Sequence, residues 1–353
     1  MSTDSIEISF LSIFALITFF IFLIVSKYSF KIKKGILLDK DFSKPQSFHS
    51  FAVSRSGGIA CLISLNLFIG MYYLLYSKIL YEYIFISLLM FFVGFLDDFK
   101  TKIRPALRLS LMIFFLTFLI YFLPIRIFNI DIPILTTFLE NKFFTSVFVL
   151  FCFLFIINGA NLIDGFNGLL TIHLIIINLI LTLINIKNGY FEFSTLLIAQ
   201  IIILISFLLF NFPKAKIFLG DGGSYLLGSL VALNTVITNN LNSNTSSFFY
   251  CTLLFYLFFE VFFSFFRKIF QKKSPIYPDN KHLHMLSYQK ITPLFGKDKG
   301  NYLNSLIINI VYFVLILPGL YFLDNPIISR YWFFTLIIIY LLFYLRLYRL
   351  TKN

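Results

Sequence analysis

Residues 195–211, with the sequence TLLIAQIIILISFLLFN, contain no charged side chain, and this run decides the class of fold. A helix needs roughly 20 apolar residues to cross a hydrocarbon layer about 30 Å thick. The other runs are too long and too uniformly apolar for the alternating strands of a membrane barrel. We therefore predict an all-α membrane protein, one polytopic domain over residues 1–353 with about 11 transmembrane helices. The ten further runs are 8–26, 58–76, 81–96, 107–123, 143–160, 169–186, 224–239, 247–266, 302–322 and 329–346.

The composition excludes a soluble protein and argues against a nucleic-acid partner. Hydrophobic residues make up 59% of the 353 residues and charged residues 13%, too few charges for a water-exposed surface. The formal net charge is +13, but the basic residues lie in short loops between apolar runs, where membrane proteins carry them. Cys61, Cys152 and Cys251 lie inside apolar runs without ligand-like spacing, so we expect neither a disulfide nor a zinc site.

The basic residues also predict the orientation of the chain. Of the 29 Lys and Arg residues, 24 fall on one side of the predicted topology, which the positive-inside rule assigns to the cytoplasm. Since the number of spans is odd, the N-terminus is expected in the periplasm and the C-terminus in the cytoplasm. The first run has no preceding basic region and no cleavage pattern, so we expect it to remain as a span. The expected cytoplasmic loops are about 27–57, 97–108, 161–168, 212–223 and 267–301.

Two polar clusters occupy the expected cytoplasmic ends of apolar runs. Asp97 and Asp98 follow the third run, and adjacent carboxylates persist there most readily if a cation shares the site; a solvated helix end is the alternative. The second cluster, residues 158–168 (NGANLIDGFNG), carries side-chain oxygens and two glycines that permit close approach of a ligand. Its alternative is a simple turn. Both clusters are candidates for binding a charged substrate.

Two further clusters lie in later loops. Residues 218–224 (FLGDGGS) place glycines and Asp221 at the start of a run, which suits phosphate binding and offers a hard oxygen ligand for Mg²⁺. His282 and His284 lie at alternate positions of the longest basic loop, where contacts to phosphate or protons are favoured over zinc because no Cys partner is present.

Two ionisable residues lie inside apolar runs, and their roles need separate consideration. Glu260 lies within the ninth run, either as a functional acid or as a group that packs against a neighbouring polar helix. His173 is expected to be a paired interior residue. Together the clusters supply carboxylates for a divalent cation and basic groups for phosphate oxygens, which is what phosphoryl transfer requires. A site at the membrane surface suggests that one substrate is a lipid.

These clusters, in this order, resemble the polyprenyl-phosphate N-acetylhexosamine-1-phosphate transferases, over nearly the whole chain. The family includes the undecaprenyl-phosphate GlcNAc-1-phosphate transferase, the O-antigen initiating enzymes and the phospho-N-acetylmuramoyl-pentapeptide transferase. The matching motifs are Asp97-Asp98, Asn158 to Gly168, Gly220-Asp221-x-Gly223-Ser224, Pro278-Asp279-x-x-His282-x-His284, and, upstream, His49 with Arg55-Ser-Gly57-Gly58-Ile59.

The resemblance implies transfer of a sugar 1-phosphate, expected to be an N-acetylhexosamine 1-phosphate, from a UDP-sugar to undecaprenyl phosphate with release of UMP. It implies a multi-pass enzyme of the bacterial inner membrane, facing the cytoplasm, that initiates a cell-surface polysaccharide; it requires Mg²⁺ or Mn²⁺ and allows a homodimer. The implied catalytic residues are Asp97, Asp98, Asp164, His282 and His284. The implied substrate-binding residues are His49, Arg55, Asn158, Asn161, Asn167 and Lys281. The implied metal ligands are Asp221 and Asp98.

Three positions depart from the family pattern. Asn167 replaces a usual Asp, Glu260 takes what looks like an Asp position, and Met285 follows His284 where another His is common. The missing triple His favours the GlcNAc and O-antigen branch. An ion- or proton-coupled transporter is the rival from another class, although transporters usually place polar groups near the bilayer midplane. A CDP-alcohol phosphotransferase is disfavoured, since its Asp-Gly-x-x-Ala-Arg motif is missing.

Overall fold

The computed structural model describes residues 3–29, 37–39, 52–99, 103–123, 125–275, 277 and 279–352. Within these residues the chain forms fourteen α-helices and one hairpin of two-residue strands. The strands are β1 (Leu38–Asp39) and β2 (Val53–Ser54). The helices are α1 (Thr3–Tyr28), α2 (Gly57–Tyr76), α3 (Tyr81–Asp98), α4 (Pro105–Phe122), α5 (Pro133–Leu139), α6 (Lys142–Ile163), α7 (Leu169–Lys187), α8 (Phe191–Asn211), α9 (Gly220–Leu241), α10 (Ser247–Leu253), α11 (Phe255–Phe270), α12 (Leu283–Phe295), α13 (Lys297–Tyr321) and α14 (Pro326–Lys352).

The all-α membrane class is confirmed, and every predicted apolar run lies on helix. Among the described residues, eight helices are long and apolar enough to cross a membrane, and a ninth candidate is the pair α10 and α11, which is bent by 73°. Helices α3 and α9 do not meet this composition test. The total of eleven spans and the orientation of the termini therefore stay predictions.

Helix α9 lies at the centre of the bundle, which explains its unusual composition. It packs against α2, α3, α6 and α7, and most of its residues are buried. Because protein rather than lipid surrounds it, α9 can carry polar side chains that a lipid-facing helix could not. Asn234 is one of these: it accepts hydrogen bonds from Tyr83 and Gln200 and donates to Asn178 and Gln200. This network joins α3, α7, α8 and α9.

Glycines allow α9 to approach its neighbours closely. A Cβ added to Gly94 on α3 would lie 2.2 Å from the carbonyl oxygen of Asp221, and one added to Gly58 on α2 would lie 2.5 Å from the nitrogen of Gly223. Contacts below 3.0 Å require the backbone to shift, so larger residues would separate these helices. The small residues therefore hold the starts of α2 and α9 against the end of α3.

The chain before α2 is held against the segment before α9. Strand β1 pairs antiparallel with β2, and Ser54 forms a parallel bridge with Ile217. The amides of Gly57 and Gly58 then donate to the carbonyls of Phe218 and Leu219. These backbone bonds fix Arg55 beside the beginning of α9.

Gly94→Ala is expected to destabilise the protein by about 1–3 kcal/mol, because the added methyl group overlaps the backbone of α9. Gly70→Ala on α2 is the matched control, since nothing lies within 4 Å of its added Cβ. Thermal unfolding in detergent measures both variants. Equal unfolding temperatures for the two would contradict the close packing of α3 and α9.

Candidate active site

One cavity of about 810 Å³ collects most of the polar clusters that the sequence predicted. It lies where α3 and α6 end and where α4 and α9 begin. The sequence-predicted residues that line it are Arg55, Asp97, Asn158, Asn161, Asp164, Asn167, Asp221 and His282. Segments more than 200 residues apart in the chain thus meet at one site.

Asp98 fastens the start of α9. Its two carboxylate oxygens accept hydrogen bonds from the backbone amides of Asp221 (3.0 Å) and Gly222 (2.8 Å), and Arg55 donates to it at 3.3 Å. The side chain is buried, and Gly220 beside it has a φ of +78° and leaves no room for a Cβ. Asp98 was predicted to act in catalysis and to bind metal. The geometry shows that Asp98 positions the start of α9, and the predicted catalytic and metal-binding roles both stay predictions.

Asp97 and Asp221 form the open acidic pair of the site. Arg108 on α4 joins them: one guanidinium nitrogen lies 3.2 Å from Asp97 Oδ2 and 2.7 Å from Asp221 Oδ2. The guanidinium also stacks over the ring of Tyr225, 5.6 Å from its centroid. Asn161 contributes from α6, and its amide donates to Ser224 on the first turn of α9. Two carboxylates, an amide and an arginine therefore meet at one point.

Arg55 supplies a second positive charge. It donates two hydrogen bonds to Asp39 Oδ2, at 2.7 and 3.1 Å, besides its contact with Asp98. Burial alone would lower the pKa of Arg55, but Asp221, Asp98 and Asp39 raise it above its usual value, so the guanidinium stays charged. Two arginines thus border the same cavity, which suits a substrate with several negative charges.

The loop 164–168 closes another side of the cavity, and asparagines hold it in place. The side-chain amide of Asn167 donates to the carbonyl of Pro213, and its backbone nitrogen donates to Asn301 on α13. Asn211 accepts from the backbone of Gly168. Asn167 can donate to Pro213 because it is an amide, which the more usual Asp at this position could not do.

The two predicted histidines have different surroundings. His282 borders the cavity, with one ring nitrogen 3.0 Å from Glu260 and the other 3.2 Å from Asp279. His284 lies behind it against Tyr256, and burial lowers the pKa of His284 to about 3. Lys281 stacks on the ring of Tyr348 instead of lining the cavity. The proposed contacts of His284 and Lys281 with a diphosphate stay predictions.

Arg267 holds the side chain of Asp279 in place. Burial alone would raise the pKa of Asp279, but two hydrogen bonds from Arg267, with His282 and Lys268 nearby, hold it down to about 2. Asp279 is therefore ionised at neutral pH. Glu260 is paired with His282, Leu283 and Tyr340, and the choice between the two roles that the sequence left open for it stays a prediction.

His173 does not line this cavity. One ring nitrogen of His173 is paired with Asn309, and the other has no protein partner. The residue is therefore only half paired, whereas the sequence predicted a paired interior histidine. His49 lies outside the described residues. Neither residue contributes to the geometry reported for the cavity.

Part of the cavity lining is an apolar wall whose side chains are also exposed at the surface of the helices. Residues of α4, α6 and α11 form it, and Phe151, Phe262, Phe265 and Phe266 among them are partly exposed on the outside of the bundle. An apolar wall that is exposed at the surface of a membrane protein would suit a hydrocarbon chain from the bilayer. The acidic pair and this wall border the same space, so a charged group and an apolar chain could be bound together.

Several residues at the site were not found from the sequence. Asp39, Asn211 and Asn301 line the cavity but stand alone in the chain, without a motif around them. Arg108 on α4 is a further member of the site that the sequence motifs did not single out. Its position three residues after Pro105, inside the first turn of α4, could have indicated that it faces the same helix ends.

Asp98→Asn is expected to destabilise the protein by about 1–3 kcal/mol, because an amide offers one acceptor where α9 presents two backbone donors. Asp97→Asn is the matched control, since Asp97 is partly exposed and contacts the side chains of Arg108 and Asp221, whereas Asp98 bonds backbone amides of α9. Thermal unfolding in detergent compares the two. A larger loss for Asp97→Asn would refute the role of Asp98 as the residue that fastens α9.

Comparisons with known proteins agree with this geometry. The model of glycosyl transferase family 4 matches residues 80–239, which include the acidic pair, the loop 158–168 and the start of α9. The undecaprenyl-phosphate alpha-N-acetylglucosaminyl 1-phosphate transferase of Thermotoga maritima is 28% identical over 283 residues, which cover 78% of this chain and 80% of that protein.

Shorter matches extend the comparison to a second branch. The phospho-N-acetylmuramoyl-pentapeptide-transferase of Streptococcus thermophilus is 31% identical over 162 residues, 43% of this chain and 47% of that protein. The enzyme of the same name from Clostridium perfringens is 32% identical over 154 residues, 41% of this chain and 49% of that protein. The alignment thus spans about half the length of these two relatives. With its motifs gathered at one cavity, the chain is similar to glycosyl transferase family 4 over residues 80–239 and to these two branches of polyprenyl-phosphate sugar-1-phosphate transferases.

Proposed function

We propose that this protein transfers an N-acetylhexosamine 1-phosphate from a UDP-sugar to undecaprenyl phosphate, with release of UMP. The observation that carries the proposal is the meeting of Asp97, Asp221 and Arg108 in a cavity that also has an apolar wall with side chains exposed at the surface of the helices. A soluble nucleotide needs the first feature and a prenyl chain needs the second. The broader class, a membrane-embedded phosphotransferase, agrees with the relatives.

The charges of the site suit transfer of a phosphoryl group. Such a reaction is accelerated mainly by positioning and by neutralising the charge on the phosphate oxygens. Arg55 and Arg108 are both partly exposed to the cavity and carry fixed positive charges beside the acidic pair. Either guanidinium can exchange a carboxylate contact for a phosphate oxygen, because both anions accept the same forked pair of hydrogen bonds.

The residues present also fit Mg²⁺, with Mn²⁺ as an alternative. No group of three His, Cys, Asp or Glu residues suited to metal binding occurs in the described part of the chain. Mg²⁺ does not need one, since it is commonly held by one or two carboxylates together with substrate phosphates and water. Asp221 and Asp97 would hold it, and Asn161 adds a neutral oxygen nearby. The ion would supply charge neutralisation at the diphosphate of the nucleotide sugar.

The nucleophile requires little activation by the protein. A phosphate monoester has a second pKa of about 6, so the lipid phosphate is largely dianionic at neutral pH. The protein must then orient it, which the apolar wall does for the chain and the arginines do for the headgroup. Asp97 remains the candidate either for a general base or for a metal ligand. Asn158, Asn161, Asp164 and Asn167 border the space left for sugar and nucleotide.

The proposed setting is the bacterial cytoplasmic membrane, with the site facing the cytoplasm. Two observations support this setting: Lys and Arg are in excess in the loops predicted to be cytoplasmic, and the cavity lies at helix ends. The N-terminus would be periplasmic, the C-terminus cytoplasmic, and α3 and α9 would bring the spans to eleven. The product would begin a cell-surface polysaccharide such as O-antigen, capsule or wall polymer.

A transporter receives no comparable support. Its coupling groups should be ionisable and lie near the middle of the membrane. The buried network around Asn234 consists of amides and one tyrosine, and each member that bonds Asn234 is paired within the bundle. Asp97, Asp164 and Asp221, which border the cavity, lie at helix ends instead, where interfacial chemistry is expected.

Asp221→Ala is expected to reduce UMP release by at least about 100-fold, because it removes one member of the acidic pair. The assay uses purified protein, undecaprenyl phosphate, Mg²⁺ and a panel of UDP-sugars that includes UDP-GlcNAc and UDP-GalNAc. Asp324→Ala, at an exposed position on another part of the bundle, is the control and should retain activity. UMP release at the wild-type rate in Asp221→Ala would refute the proposed site.

Leu154→Trp is expected to raise the KM for undecaprenyl phosphate by about tenfold, since a larger side chain in the apolar wall obstructs the prenyl chain. The KM for the UDP-sugar should change little. Leu209→Trp on the outer, lipid-exposed surface of α8 is the control. A KM change confined to the UDP-sugar would contradict the assignment of this wall to the lipid.

A further inference from the structure

The strongest arrangement outside the acidic pair is the set of bonds around His282. Its ring is almost completely buried at the edge of the cavity, between helix α11 and the loop before α12. Nδ1 lies 3.0 Å from Glu260 Oε1, and Nε2 lies 3.2 Å from Asp279 Oδ1. Both nitrogens of one imidazole therefore face carboxylate oxygens.

The two carboxylates are themselves acceptors. Asp279 accepts a forked pair of hydrogen bonds from Arg267, at 2.7 and 3.2 Å. Glu260 accepts from the backbone amide of Leu283 at 3.1 Å and from the Tyr340 hydroxyl at 2.7 Å. Donors at both oxygens stabilise the ionised form of a carboxyl group. An ionised carboxylate only accepts hydrogen bonds, so each ring nitrogen must donate.

We propose that Glu260 is a positioning residue that, with Asp279, holds His282 as a doubly donating imidazolium, a fixed positive charge at the edge of the cavity instead of a proton shuttle. An imidazole transfers protons only through a nitrogen that can gain or lose one. Here both nitrogens are bound to carboxylates. This assignment rests on the proposed function for its catalytic consequence, although its geometric part is independent of it.

The position of Glu260 explains how it can act from within a span. It lies on the helix that the 73° bend directs toward the loop, and its bond to Leu283 caps the first turn of α12. Tyr340 brings α14 to the same carboxylate. One buried acid thus fixes the start of α12 and the ring orientation of its N-cap residue. The charged and titratable groups around the ring are Glu260 on α11, Asp279 with Arg267 behind it, His284 on α12, and Tyr340 on α14.

The test begins with the protonation of the ring. Full-length protein labelled with ¹⁵N in its four histidines is compared by NMR near neutral pH with His282→Gln, which identifies the His282 signals. The expected wild-type spectrum shows both ring nitrogens of His282 protonated. In Glu260→Gln the side-chain amide can donate to Nδ1, so one bare ring nitrogen is expected. A bare nitrogen on His282 in the wild-type protein would overturn the assignment.

Kinetics then separate positioning from stability. Glu260→Gln is expected to lower kcat for UMP release by roughly 10- to 100-fold, the range for a displaced catalytic group, with the KM for UDP-sugar changed by less than about threefold. In the His282→Gln background, Glu260→Gln should add no further loss, because both changes remove one function. Losses that multiply in the double variant would overturn the inference.

The controls distinguish this inference from the proposed reaction. Tyr312→Phe removes another buried tyrosine hydroxyl, one that bonds only the Leu253 carbonyl, and its kcat should stay near the wild-type value. A kcat that falls as far in Tyr312→Phe as in Glu260→Gln would assign the effect to general destabilisation and refute the inference. If the wild-type protein released no UMP, the proposed function would fail, and the NMR result alone would decide the state of His282.

Discussion

The carboxylate of Asp98 on the first amides of α9 is the contact on which the site depends. A helix N-terminus leaves backbone N–H groups without partners, and Asp98 satisfies two of them from another helix, 3.0 and 2.8 Å away. This bond sets the height of α9 against α3 and therefore the position of Asp221 relative to Asp97. Arg55 shares Asp98, so the chain before α2 is fixed by the same group. The two adjacent aspartates of α3 thus have different roles: Asp98 positions the start of α9, and Asp97 faces the cavity.

Such a short bond between helices requires that nothing intervene between their backbones. The contacts that added Cβ atoms would make at Gly58, Gly94 and Gly220 show that side chains are excluded at each crossing point. In a membrane, where hydrophobic burial gives little preference for protein over lipid, close packing and buried hydrogen bonds hold helices together. The Asn234 network supplies those bonds deeper in the bundle. Close packing and buried hydrogen bonds therefore both hold α9 in place, so a helix with many polar residues can lie at the centre of the bundle.

The sequence predicted the class of fold and the membership of the site better than the roles within it. Apolar runs specify helices by length alone, and the acidic, amide and glycine motifs are local patterns. Which of two adjacent aspartates caps α9 depends on a crossing 123 residues later in the chain, and no local pattern encodes that. His284 and Lys281 illustrate the same limit: both lie within two residues of His282, but the turn into α12 directs His284 against Tyr256 and Lys281 over Tyr348. Asp39 and Asn301 were missed because each is an isolated polar residue brought to the cavity only by folding.

Helix α11 shows how one segment can serve both lipid and catalysis. Glu260, Ser264 and Lys268 recur every four residues and face the interior, whereas Phe262 and Phe266 lie on the side that is partly exposed to lipid. The two faces follow from helical periodicity, and the bend before Phe255 directs the polar face toward the loop that carries Asp279 and His282. The apolar face then continues as the wall of the cavity. A prenyl chain lying along that wall would end beside the polar face of the same helix, so the amphipathic pattern of α11 itself brings a lipid headgroup to the charged site.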